Sequence, residues 1–548
     1  MKRRFKKRYF VLVVILVLIL IFIKSIYVSP PQIEDRSCLQ LPIKNVGADE
    51  IHFNDSWLRK KEDGLYEMYI TGSDFERGVA IGKLSEDLIA FQEKAFIEGI
   101  EAMVPSSSYL NILKYFVAWK NRLLPKYIPE EYQREIYGMS LFASDEYDFV
   151  GPKFQRKLYY HAAHDIGHTV QNMGLIGCSA FSVNGNASAD GKMLVGRNFD
   201  FYVGDAFAKN KVLLFMNPDE GIPFASYSWP GFIGVVSGIN KEGITVSLNA
   251  GPPALPSKSK VPVSILAREI LQYATNLEEA INIAASKDIF VSESFLIASA
   301  KDNKSIIIEK TPESMSIVPI EQARLVLTNH FQSDDLKDLE MNLAFKEVSS
   351  TNQRSDRMNR LLDFYEPLDL NEAVSILRDW KDDEESQSGV GNEISINQMI
   401  AHHSIIFKPQ KNKFWISTGL NPMDRFLHYD LDDIFVSSQS IQNSDSLTIA
   451  PSPWLDSKEK ENYLSYKKMY RLLEKNIAHK NEIAKGDFER LIALNPNHYK
   501  AYLLAGAYYN DKQDCENLIY FLDQTKEKRI PWKSEKETIE ELLENCKK

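Results

Sequence analysis

A chain of 548 residues is too long for one ordinary domain and implies two to four units. Hydrophobic residues at 44% and charged residues at 26% place it among globular proteins rather than disordered ones. A formal net charge of −10 argues against a nucleic-acid partner, which needs a basic surface, and four cysteines are too few for a disulfide scaffold.

The first 28 residues differ from the rest. Lys2, Arg3, Arg4, Lys6, Lys7 and Arg8 precede an apolar run from Tyr9 to Ile23, and Ile26, Tyr27 and Val28 extend it past Lys24. Residues 9–28 are long enough to cross a bilayer as one helix. The basic tail, residues 1–8, should stay cytoplasmic and leave the remainder periplasmic or extracellular. A cleaved signal peptide would want small residues after the run. Lys24-Ser25-Ile26-Tyr27-Val28 offers no such site, which favours an uncleaved single-pass anchor. Residues 29–50, with Pro30-Pro31, read as a linker. Residues 51–177 read as mostly helical, with apolar spacing near the helical period over 84–100 and 155–173.

At Cys178 the texture changes to short β-rich runs: 178–183, 193–201, 212–216, 234–239 and 244–249. Asn184-Gly185, Asp190-Gly191 and Glu242-Gly243 punctuate them as turns. Helices are expected over 263–273, 277–286 and 356–364, and further strands over 294–300, 305–309, 324–328, 403–409 and 413–417. Strand runs that enclose helical pairs indicate sheets with helices on their faces, and 178–440 is read as the catalytic core. Residues 441–548 read as helical again. Asn495-Pro496-Asn497 with Ala501, Leu504, Gly506 and Tyr509 resembles one tetratricopeptide unit, without a second copy. A packed cap is therefore favoured over a solenoid, although these helices offer a surface for a protein partner. Cys515 and Cys546 lie here, and their pairing is a matter for geometry.

Gly177-Cys178-Ser179-Ala180-Phe181 opens the β-rich half. A cysteine after a glycine at a strand head suits a small buried hydrophobe as well as a nucleophile. After the turn-rich 184–192 comes Gly196-Arg197-Asn198-Phe199-Asp200-Phe201, so a hairpin brings an arginine and an aspartate beside Cys178. Arginine stabilises a thiolate and a carboxylate holds an ammonium group; a structural ion pair is the competing reading. Residues three apart on a regular strand face opposite sides. Arg197 and Asp200 can serve one site only if the strand bulges or ends there. His161, His164 and His168 fall on one face of a helix, with Asp165 adjacent. Without a carboxylate or thiol at matched spacing, packed or pocket-lining histidines are favoured over a metal site, and the same holds for His330, His402 and His403.

Taken in order, these residues resemble the choloylglycine-hydrolase superfamily, and most the C45 branch that includes acyl-coenzyme A:6-aminopenicillanate acyltransferase. The resemblance spans roughly residues 60–420 and is strongest over 177–251. It implies an α+β fold, the αββα four-layer sandwich of N-terminal-nucleophile hydrolases, here with a helical N-terminal segment and a helical C-terminal extension. It also implies that the Gly177–Cys178 bond cuts itself, and that Cys178 then attacks an acyl carbonyl with its own α-amino group as base. Such a group has a pKa of about 7.7–8.0, nearer working pH than a lysine at about 10.4. It also sits on the residue that carries the thiol.

By the same resemblance, Leu248-Asn249-Ala250-Gly251 supplies Asn249 to an oxyanion hole and Leu327-Thr328-Asn329 supplies Asn329. Turn capping is the competing reading for both. The segment from Arg354 to Arg360 supplies a late active-site arginine, assigned to Arg357 with Arg354 and Arg360 as alternatives. The expected reaction is hydrolysis of a small-molecule N-acyl amide through a thioester acyl-enzyme, with no metal or organic cofactor. Acyl transfer from a thioester donor is the alternative. A catalytically inactive, anchored binding protein is the reading from a different class.

Overall fold

A computed structural model of the chain describes residues 2–104, 107–162, 177–253, 259–318, 323–382, 388–436 and 445–546. Its strands are β1 (Lys44–Asn45), β2 (Glu50–Phe53), β3 (Ser56–Glu62), β4 (Leu65–Gly72), β5 (Ser179–Val183), β6 (Leu194–Asp200), β7 (Lys211–Pro218), β8 (Phe224–Ser228), β9 (Ser237–Asn240), β10 (Ile244–Ala250), β11 (Glu293–Ser299), β12 (Lys304–Lys310), β13 (Met315–Ile317), β14 (Arg324–Leu327), β15 (Ala401–Lys408), β16 (Lys413–Ser417) and β17 (Phe426–Asp430). They form an eleven-stranded sheet, β1-β2-β3-β4-β7-β8-β9-β10-β11-β12-β13, and a six-stranded sheet, β14-β5-β6-β15-β16-β17. The fold is mixed α+β with two sheets.

Alternation along the strands sorts their side chains into separate cores. Ile244, Val246 and Leu248 of β10 join a core with Ile265, Leu266 and Ile270 of the helix Val263–Tyr273. A second core lies between the sheets. Leu213, Phe215, Tyr227 and Leu296 enter it from the larger sheet, and Ala180, Val195, Ile405 and Phe414 from the smaller. On the other face of the smaller sheet, Phe181, Leu194 and Ile406 pack with Met358, Leu362, Val374 and Leu377.

The N-terminal part departs from the sequence reading. Residues 44–72, read as linker and helix, carry β1 to β4. Leu65 and Tyr69 of β4 enter the inter-sheet core while Met68 and Ile70 face the other way. The partner that makes this stretch a strand is β7, paired in parallel far along the chain. Helices follow at Asp74–Leu84, with a Ser73/Glu76 capping box, and at Glu86–Met103 and Glu130–Ser140. Helices 74–84 and 130–140 cross closely: a Cβ at Gly78 would lie 2.0 Å from the Glu135 carbonyl oxygen.

Segment 29–50 is no free tether either. Cys38 is buried, and Lys83 Nζ donates to the carbonyls of Leu39 and Leu41 at 2.8 and 2.6 Å. The first helix, Lys2–Ile26, carries an apolar stretch over Tyr9–Ile26 with a mean hydropathy of 3.0, and Tyr9 to Ile23 are exposed. Its end is clamped to the body: Gln155 Nε2 donates to Ile26 O and Val28 N donates to Gln155 Oε1, both at 3.0 Å.

Five C-terminal helices, Lys458–Ala478, Lys485–Leu494, Tyr499–Asp511, Cys515–Leu522 and Lys533–Asn545, share a core of Tyr463, Phe488, Leu491, Ala505 and Phe521. Cys515 and Cys546 are disulfide-bonded. This bundle also grips the loop ahead of β15. Asn495 Nδ2 donates to Val390 O at 2.9 Å, Asn392 Nδ2 donates to Arg529 O at 3.0 Å, and Lys500 pairs with the buried Glu393.

Candidate active site

Cys178 sits just ahead of β5, buried at 1% exposure. The hairpin of β5 and β6 sets Ala180 opposite Arg197 and Ser179 opposite Asn198. Arg197 Nη2 lies 3.8 Å from Cys178 Sγ. The guanidinium is held in place by Nη1, which donates to Val236 O and, at 2.6 Å, to Ser237 Oγ. It also lies over the Phe199 ring, 4.7 Å from the centroid.

Asp200 is the last residue of β6, and the pairing with β15 slips between Ala401 and His403 just there. The strand thus ends, and its partner bulges, at the place where Asp200 would otherwise turn from the site. Asp200 O accepts from Cys178 Sγ at 3.8 Å and from Gly177 N at 3.3 Å. Neither carboxylate oxygen of this fully buried residue finds a hydrogen-bond partner among the described residues. Burial pushes the Asp200 carboxyl up to about 7, against the pull of Arg354 and Arg197. Burial likewise pushes the Cys178 thiol up to about 11, opposed by Arg197 and reinforced by Asp200 and Glu293. At that pKa the thiol is neutral at physiological pH.

Of the two arginines, it is Arg354, and not Arg357, that reaches Gly177 and Cys178. Arg354 Nη1 donates to Gly177 O at 2.9 Å, Cys178 O at 2.7 Å and Ser179 Oγ at 3.1 Å, and Nη2 donates to Asn329 Oδ1 at 2.7 Å. Arg357, one turn on, pairs instead with Asp379 at 2.9 and 3.1 Å. The helix Thr351–Phe364 buries Thr351, Arg354, Met358 and Leu362, a stripe at helical spacing that includes Arg354 and passes Arg357 by.

The two asparagines are brought together but are differently engaged. Asn249 Nδ2 donates to Leu327 O and Thr328 O, at 3.2 and 3.0 Å. Turning the amide over would set oxygen against two carbonyls, so this orientation is fixed. Asn249 therefore props the turn that carries Asn329, as the capping reading expects. Asn329 Nδ2 donates to Ala250 O at 3.0 Å and to no second acceptor among the described residues.

Three features were not read from the sequence. Gln398 Nε2 donates to Gly177 O at 2.8 Å, from a loop with no periodic signal. Glu293, the residue opposite Ala250 on β11, is buried and acts electrostatically on both Cys178 and Arg197. Ser237 links Arg197 to His403 Nε2 at 2.8 Å, and His403 meets His402 at 3.0 Å.

His161 is a packing histidine: Nδ1 meets Lys157 O at 2.8 Å, Ile233 N donates to Nε2 at 3.1 Å, and Phe232 stacks on the ring. Burial lowers its pKa to about 4. His164 and His168 lie outside the described residues. His330 Nδ1 lies between the hydroxyls of Thr328 and Thr351, at 3.1 and 3.0 Å.

Residues 187–422 match the model of the acyl-coenzyme A:6-aminopenicillanic acid acyl-transferase family. The resemblance drawn from the sequence holds over that segment. It contains Arg197, Asp200, Asn249, Asn329 and Arg354, while Cys178 lies just ahead of it and the C-terminal helices beyond it.

Among curated proteins, an uncharacterized protein of Archaeoglobus fulgidus is 28% identical over 255 residues, 44% of this chain and 42% of its own length. An N-acylethanolamine-hydrolyzing acid amidase of Caenorhabditis elegans is 24% identical over 208 residues, 36% of this chain and 56% of its own. The chain thus spans about half the length of these relatives. Among solved structures, the Caenorhabditis elegans ortholog of N-acylethanolamine-hydrolyzing acid amidase aligns with a TM-score of 0.32 and 16% identity, covering 42% of this chain and 93% of that one. A conjugated bile acid hydrolase of Clostridium perfringens aligns at 0.35 and 13%, covering 49% and 96%.

The matched segment has a further physical signature. A buried carboxyl whose pKa is raised stabilises the fold only while protonated. For Asp200 that contribution is complete below the ordinary 3.8 and is lost as pH climbs through about 7. In an uncut Cys178→Ala background, Asp200→Asn should raise stability above pH 7 by up to about 4 kcal/mol relative to Asp200, and by little at pH 4. Chemical denaturation across that pH range measures the difference; a difference independent of pH would contradict it.

Proposed function

We propose that this chain is a membrane-anchored cysteine amidohydrolase of the N-terminal-nucleophile type, with the family's αββα sandwich as its core and a catalytic part outside the cytoplasm. The observation that carries the reading is the setting of Cys178, a neutral buried thiol at a strand head, within 3.8 Å of a buried arginine and preceded by a clamped glycine carbonyl. A thiol with that pKa is a poor nucleophile and needs a base at hand. Cutting the Gly177–Cys178 bond would supply one on the same residue.

Cys178 then attacks the acyl carbonyl of an N-acyl amide. Its α-amine takes the thiol proton and returns it to the leaving amine, and water releases the thioester acyl-enzyme. Arg197 stabilises the thiolate. Asp200, next to the new terminus, holds the α-ammonium. Asn329, whose amide nitrogen meets one acceptor where that of Asn249 meets two, is placed as an oxyanion donor in preference to Asn249. The name of the Caenorhabditis elegans relative, an N-acylethanolamine-hydrolyzing acid amidase, favours amide hydrolysis. A cavity of about 400 Å³ reached by Met399, Ile400 and Ala401, with Leu420, Trp454 and Leu464 on its wall beside the charged Asp205, Asp424, Lys460 and Lys467, has room for an acyl group with a polar end. The exposed apolar helix behind a basic tail supports the anchor, and the Cys515–Cys546 disulfide supports an oxidising compartment.

The purified chain, in detergent, should release amine and carboxylate from at least one class in a panel of fatty-acyl, bile-acid, penicillin-like and peptide amides. Iodoacetamide should abolish that release and modify Cys178, whose freed α-amine activates its thiol, rather than Cys38, the other free cysteine, which has no such base on its own residue. No release from the panel, together with no adduct at Cys178, would sink the reading in favour of an inactive binding protein. Release that speeds up with an added amine acceptor and a thioester donor would favour acyl transfer.

A further inference from the structure

We propose that Gln398 and Arg354 form an oxyanion hole for cutting the Gly177–Cys178 bond, which makes Gln398 a catalytic residue of maturation. This assignment rests on the self-cleaving reading above. Gln398 Nε2 and Arg354 Nη1 both donate to the Gly177 carbonyl oxygen, at 2.8 and 2.9 Å. Two donors at about 2.7–3.1 Å are what a developing oxyanion requires, and they need no reorganisation as charge appears. Both side chains are 3% exposed, so their bonds act in a medium that screens weakly.

The Gly177 residue is shaped to this contact. A Cβ there would lie 2.4 Å from Gln398 Nε2 and 2.8 Å from Oε1, so any larger residue must push the amide off the carbonyl. The loop that carries Gln398 is itself held from both sides. Ser350 Oγ donates to Glu393 O at 2.7 Å, Ser395 Oγ donates to Trp380 O at 2.8 Å, and Asn397 N donates to Asp379 O at 2.8 Å. The C-terminal bundle grips the same loop through Asn495 and Lys500. That bundle lies beyond the matched segment, so helices outside it help to position the loop that carries Gln398.

The chemistry balances within the chain and one water. Cys178 Sγ bonds to the Gly177 carbonyl carbon, the carbon–nitrogen bond breaks, and the thiol proton ends on the nitrogen. This leaves a thioester and a free α-amine. Water then cleaves the thioester to give a Gly177 carboxylate and the Cys178 thiol. Negative charge develops on the Gly177 oxygen in both steps, where the two donors meet it.

The test follows conversion of the full chain into residues 1–177 and 178–548 after a labelling pulse. Gln398→Ala should slow it about 100-fold, the scale of losing one oxyanion donor. Gly177→Ala, with Gln398 intact, should slow it comparably by displacing the amide. The double variant should be no slower than Gln398→Ala alone, because both act through one contact. Conversion of Gln398→Ala within about threefold of the unaltered chain, with or without a lowered melting temperature, would show a structural bond and overturn the assignment. So would multiplying effects in the double variant. If the unaltered chain itself stays whole, the self-cleaving reading falls first and this assignment with it.

Discussion

Cys178→Ala should leave the chain in one piece and without turnover. The thiol is needed twice in this account, once against Gly177 and once against substrate. Loss of a nucleophile that acts with its base costs on the order of 10⁶-fold in rate. The structural cost should be small. A buried thiol is worth about one or two methylene groups, or about 1–2 kcal/mol, so the variant should melt within a few degrees of the unaltered chain. Gel electrophoresis, amide hydrolysis and a melting curve check the three parts of this expectation. A cut Cys178→Ala chain would assign the cleavage to another protease.

The second large effect separates two arginines a single turn apart. Arg354→Ala removes a cation that donates to Gly177 O, Cys178 O, Ser179 Oγ and Asn329 Oδ1. It strands buried acceptors and leaves Asp200 with one guanidinium fewer, so stability should fall by about 3–5 kcal/mol and self-cleavage by at least about 100-fold. Arg354→Lys keeps the charge but loses the fork, and should fold better than Arg354→Ala while still cutting slowly. Arg357→Ala breaks a partly exposed pair with Asp379, should cost about 1 kcal/mol, and should cut at the normal rate. Equal cleavage by the Arg354 and Arg357 variants would remove Arg354 from the site.

The difference between those arginines was present in the sequence. Arg354 lies four residues before Met358 and eight before Leu362, on the stripe that a helix turns inward, and Arg357 does not. The order of motifs along the chain leaves three arginines open, whereas the helical period chooses among them. The hairpin that brings Arg197 to Cys178 was equally legible, because strand alternation and a turn-rich connection are local signals. The end of β6 at Asp200 followed from geometry too, since two residues three apart cannot otherwise share a site.

What was not legible depends on distant partners. Residues 50–72 become strands because β4 lies beside β7, a pairing that no local period reveals, and the charged residues of β3 blur its alternation. Asn249 donates to Leu327 and Thr328 because β10 lies against the end of β14, which spacing alone cannot show. Gln398 sits in an irregular loop shaped by helices far along the chain, so neither a motif nor a period marks it.

N-terminal sequencing of the protein purified from cells that express the whole chain tests the central claim most directly. The expected result is a new terminus reading Cys-Ser-Ala-Phe-Ser-Val, from Cys178 to Val183, on a piece that stays associated with residues 1–177. Full amidase activity from a chain still intact between Gly177 and Cys178 would contradict it, because the nitrogen assigned as the base would then be an amide.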